Sequence, residues 1–87
     1  MMYFKTIDVW EYVNEGLAKR YRCFEVLPSG GFCVQSADFY KLPVDARRIQ
    51  ELDQQYVELL AEQRPNERSA TFKTLEEAIL RHQKEFE

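Results

Sequence analysis

The sequence predicts a small α+β domain in which a β-hairpin of two to three antiparallel strands packs against two or three helices, in the order α-β-β-α-(β)-α. Three observations carry that expectation. Two apolar-rich runs flank Pro28-Ser29-Gly30-Gly31, which has the form of a hairpin turn. Ile49, Leu52, Tyr56, Leu59 and Leu60 recur at helical spacing. Capping-box patterns stand at Asp8-Val9-Trp10-Glu11 and at Thr74-Leu75-Glu76-Glu77, where the first side chain accepts from the amide three residues on.

Met2 to Ile7, aromatic and β-branched, has strand character. From Val9 the Asp8 cap predicts a helix whose stripe is Val9, Trp10, Val13 and Leu17. Gly16, Lys19 and Arg20 then suit its C-terminal end, where glycine admits αL and cations meet the negative pole of the dipole. The hairpin covers Arg20 to Asp38. With a loop of Pro28 to Gly30, or an equivalent bulge, Phe24 meets Val34 and Val26 meets Phe32, giving one apolar face and leaving Tyr21, Cys23, Glu25, Cys33 and Gln35 on the other.

The next helix is capped by Asp45, with Val44 and Ile49 as a hydrophobic staple. Gln63 to Ser69 has no apolar residue besides its proline and is expected to be a loop, after which Ala70 to Lys73 supplies a short strand. The last helix places Leu75, Ala78, Ile79, His82 and Phe86 on one face. At 87 residues, with no linker rich in Gly, Ser or Pro, residues 1–87 read as a single domain.

A hydrophobic fraction of 45% is that of a folded globule. The net charge of −3 is unevenly spread: Met1 to Arg48 holds seven basic and six acidic residues, Ile49 to Glu87 five and nine. That balance argues against a dedicated nucleic-acid binder. No apolar run reaches the ~18 residues of a membrane span, and the N-terminus lacks a signal-peptide pattern, so no membrane association and a cytoplasmic location are expected.

Two cysteines outside any C-x-x-C spacing and a single histidine make a poor metal-ligand set. Parity makes Cys23 and Cys33 diagonal neighbours at best, so both are read as reduced packing residues. His82 lies on an apolar stripe without an orienting partner, and the paired carboxylates fall at helix starts or polar faces. No catalytic, cofactor-binding or metal-binding residue is therefore assigned.

The candidate interaction surface is Arg20, Tyr21, Arg22, Tyr40 and Lys41, with Lys19 beside it. The leading expectation is a non-catalytic cytoplasmic module that binds a protein partner, or a second copy as a homodimer, through a sheet edge or aromatic patch. The alternative is a small nucleic-acid-associated regulator, the cations of this cluster meeting phosphates and its rings stacking on bases. A third reading is a thiol-dependent enzyme or redox sensor at Cys23 or Cys33. If Trp10, Tyr12, Phe32, Tyr40 and Phe72 cannot all be buried, the remainder forms an interface.

Overall fold

The computed structural model describes residues 1–86. Its strands come first: β1 (Tyr3–Asn14), β2 (Leu17–Leu27) and β3 (Phe32–Lys41) are followed by α1 (Ala46–Glu62), α2 (Pro65–Arg68) and α3 (Leu75–Phe86). The sheet is an antiparallel meander in the order β1-β2-β3. A small α+β domain is thus present, but the expected α-β-β-α-(β)-α order is replaced by β-β-β-α-α-α.

The correction lies at Val9, where a helix was expected and β1 runs through without interruption. The charges that resemble a capping box have cross-strand partners instead. Lys5 stands opposite Glu25, Asp8 opposite Arg22 and Glu11 opposite Lys19, three complementary pairings in one register. Val9, Trp10, Tyr12 and Val13 are β-branched or aromatic and suit that extended backbone. Gly16 ends no helix. It turns β1 into β2 at φ +87°, a conformation that other residues adopt only at a cost.

The β2–β3 hairpin keeps the expected register from Leu17↔Lys41 to Arg22↔Ser36 and then departs from it. Gln35 is an extra residue in β3, so Cys23 faces Val34, Phe24 faces Cys33 and Glu25 faces Phe32. Val26 donates to the Gly31 carbonyl at 3.0 Å, closing the loop one residue earlier on β2 than predicted. As a result Cys23 and Cys33 point to opposite faces, and both are free thiols.

Both sheet faces are covered. On one face α3 buries Tyr21, Cys23 and Val34 against Ala78, with Ile7, Val9, Phe32, Ala37, Phe72, Leu75 and Ile79 around them. The Tyr21 and Cys23 face, expected to be outward, is therefore the core beneath α3. On the other face α1 lays Tyr56 flat on Phe24, with ring centroids 5.8 Å apart, while Phe4 meets Phe24 edge-on at 6.2 Å.

The Asp45 side chain caps α1 as predicted, accepting from the Arg47 and Arg48 amides. The stripe Ile49, Leu52, Tyr56, Leu59 and Leu60 is its half-buried side, and no residue of α1 is fully buried. The segment expected to be a loop contains α2, a single turn started by Pro65, whose fixed φ and missing N–H suit a first helical position. The post-loop strand shrinks to one bridge, Phe72 exchanging two 2.8 Å hydrogen bonds with Phe32. Thr74 caps α3 through the Glu77 amide at 3.1 Å.

Candidate functional site

Strand parity divides the predicted cluster between the two faces. Arg20, Arg22 and Tyr40 lie on the α1 face, whereas Tyr21 and Lys41 belong to the α3 side. Tyr21 is buried and its hydroxyl joins Glu11 at 3.1 Å and Gln83 at 2.9 Å. Lys19 is also buried, its ammonium 4.7 Å from the Tyr21 ring centroid and 5.1 Å from that of Phe39. Lys41 stands exposed at the end of β3.

The two arginines are held within the fold by Asp53. Arg22 Nη2 donates to Asp53 Oδ1, and Arg20 Nη2 donates to the same oxygen at 3.3 Å and to the Tyr40 hydroxyl at 2.8 Å. The Arg22 guanidinium also lies 4.6 Å from the Tyr56 ring centroid. Burial works against the Arg22 charge, but the hydrogen bonds it donates to Asp53 and Tyr40 outweigh it and hold its pKa above the ordinary value. The Arg22 hydrogen bond chiefly holds the Asp53 carboxyl below its ordinary range.

Asp53 was missed in the sequence, although a signal was present. It stands four residues after Ile49 and three before Tyr56, so it is an acid on the apolar stripe of α1. An acid in that position calls for a cation on the facing surface, and β2 presents two.

Beside this network the α1 face opens into a groove of about 500 Å³ between the β1–β2 turn and the start of α1. Trp10, Tyr12, Tyr40, Leu42, Val44 and Ile49 are among the residues that line it. Trp10 is 52% exposed, Tyr12 77%, Leu42 63% and Val44 58%. The Arg20 guanidinium carbon lies 5.0 Å from the Trp10 ring centroid and 5.1 Å from that of Tyr40, a cation–π contact with both rings. Of the five aromatics whose burial was in question, Phe32 and Phe72 pack against the α3-side core, whereas Trp10 and Tyr12 remain outside.

The thiols sit in the reverse of an activating environment. Burial, with smaller contributions from Cys33 and Asp8, pushes the Cys23 pKa up to about 12, and burial raises that of Cys33. Against a free cysteine near 8.5, the thiolate fraction of Cys23 at pH 8 is smaller by about three orders of magnitude. Alkylation of the native protein is accordingly expected to be slower than that of the guanidinium-unfolded chain by at least about 100-fold. Labelling of either cysteine at the unfolded rate, followed by mass spectrometry, would contradict this placement.

Among the described residues no group of three or more His, Cys, Asp or Glu is placed to hold a metal ion, and no helix is long and apolar enough to cross a membrane. No protein-family model, curated protein or solved structure matches the chain significantly.

Proposed function

We propose that this chain is a non-catalytic cytoplasmic interaction module that binds protein through the aromatic groove. The observation that carries this reading is that exposed Trp10, Tyr12, Leu42 and Val44 line one mainly apolar groove. A domain this small has little apolar surface to spare, and a contiguous patch left outside both cores is the usual mark of a docking site. Its occupant is a segment of a partner protein that seats apolar side chains in the groove.

The nucleic-acid reading draws less support from the fold. Arg20 and Arg22 spend their Nη2 donors on Asp53 and Tyr40, and Lys19 is buried against rings. Of the basic residues invoked for it, Lys41 is the one standing exposed.

A tagged-chain pull-down from native lysate, with and without nuclease and repeated with Leu42→Glu, tests the proposal. Leu42 is exposed on the groove wall and outside both cores, so the variant is expected to fold normally. A protein retained by the wild type should fall about tenfold or more with Leu42→Glu, the cost of a charge in an apolar contact, and nuclease should leave retention unchanged. Retention indifferent to Leu42→Glu, or abolished by nuclease, would refute the groove as a protein-docking site.

A further inference from the structure

β1 is an edge strand, and its backbone direction can be read from the rest of the sheet. The Val26 amide donates to the Gly31 carbonyl, so the backbone of Val26 points toward β3. Strand alternation then turns Phe24, Arg22 and Arg20 toward β3, and Glu25, Cys23 and Tyr21 toward β1. Two other hydrogen bonds agree: the Gly16 carbonyl accepts from Leu42 beyond β3, and Phe32, opposite Glu25, bonds outward to Phe72.

Carried across the β1–β2 register, this parity commits the amides and carbonyls of Tyr3, Lys5, Ile7, Val9 and Glu11 to β2. Those of Phe4, Thr6, Asp8, Trp10 and Tyr12 point away from the sheet, where no further strand follows among the described residues. A long edge of this kind is a template for another strand.

We infer that this edge pairs with a second copy of itself, antiparallel about a two-fold axis at Ile7, merging two three-stranded sheets into one of six. The inference rests on the interaction-module reading and assigns the β1 edge to a second copy, leaving the groove to the partner segment.

Side-chain chemistry selects the register. A two-fold axis normal to the sheet brings residues of like parity together. Centred on Ile7, the pairing sets Phe4 opposite Trp10 twice over, Thr6 opposite Asp8, and Lys5 opposite Val9 with Glu11 as its diagonal neighbour. Moved one residue along, it would set Lys5 directly opposite Glu11, but at the cost of Asp8 against Asp8 at the axis, two exposed carboxylates face to face. Lys5 and Glu11 are both exposed and of opposite sign, so the edge is complementary to its own reverse. The pairing also continues the aromatic lining of each groove with the other copy's Phe4.

Light scattering and covalent trapping of the purified full chain test this. The wild type should show twice the monomer mass of 10.4 kDa, with emission of the sole tryptophan, Trp10, shifting to the blue as concentration rises. Thr6→Pro removes an outward amide and no β1–β2 hydrogen bond, so it should be monomeric with an unchanged circular dichroism spectrum.

Oxidised Ile7→Cys should give a covalent dimer, because a non-hydrogen-bonded pair brings Cα atoms to about 4.5 Å. Val9→Cys alone should not, its symmetry mate lying about 13 Å away along the strand. Mixed Lys5→Cys and Val9→Cys chains should link to each other, which keeps the register testable if Ile7→Cys folds poorly. A wild type monomeric up to about 1 mM, a dimeric Thr6→Pro, or Val9→Cys trapping as readily as Ile7→Cys would overturn the inference. A monomer that still retains a Leu42-dependent partner would overturn this inference and leave the proposed function standing.

Discussion

Phe24→Ala is expected to destabilise the protein by about 3–5 kcal/mol, the usual cost of deleting a fully buried phenyl ring. Phe24 is 0% exposed and joins three elements: Phe4 of β1 meets it edge-on, Tyr56 of α1 stacks on it, and Cys33 of β3 stands opposite. α1 has no fully buried residue to compensate. At about 0.05–0.15 kcal/mol per residue the whole domain holds only ~4–13 kcal/mol, so the variant should lose a large share of its stability and unfold at a much lower urea concentration. Phe24→Leu keeps most of the volume and should cost less than half as much. Urea titrations followed by circular dichroism measure both, and a Phe24→Ala midpoint equal to that of the wild type would contradict the α1-side core.

The same residues show which parts of the fold can be read in the sequence. α1 and α3 are legible because their apolar stripes exceed two turns and each carries a side-chain cap, Asp45 and Thr74. β1 is not legible from a local window, because Asp8 and Glu11 fit a capping box as well as they fit a ladder. The deciding information is non-local. Lys5, Asp8 and Glu11 find Glu25, Arg22 and Lys19 only when the chain is folded back at Glu15-Gly16. A search for opposite charges symmetric about a turn would have distinguished strand from helix.

For the candidate surface the limit was parity. Arg20, Tyr21 and Arg22 are adjacent in sequence and resemble a patch, yet a strand sends them alternately to two faces. Once β1 exists as a strand, Arg20 and Arg22 share a face with Asp53, and Trp10 and Tyr12 reach the groove. The Gln35 bulge had no comparable signal. Neither Gln35 nor its neighbours is a glycine or proline; the extra residue has a tertiary contact, its side-chain amide donating to the Tyr56 carbonyl of α1 at 3.4 Å.

Asp53→Ala is expected to cost about 1–3 kcal/mol and to loosen α1 before the sheet. Breaking one partner of a buried ion pair removes about 3–5 kcal/mol when both are buried. Here only Arg22 is enclosed, with 6% of its side chain exposed against 55% for Asp53, and water at Asp53 reduces that figure. The loss falls on α1, so its amides should exchange with deuterium faster while those of β2 stay protected. Arg22→Met combined with Asp53→Ala should recover much of the stability, because the residual penalty of Asp53→Ala is an enclosed guanidinium without its acceptor. The pH dependence has a definite sign. The folded state holds the Asp53 carboxyl below its ordinary value, so its contribution is complete above about pH 4 and is lost as pH falls below that value. Thermal midpoints of wild type and Asp53→Asn should therefore converge on acidification below pH 4 and stay furthest apart near neutrality, whereas a constant difference between pH 2 and 7 would show that the carboxylate charge is not what holds α1 to the sheet.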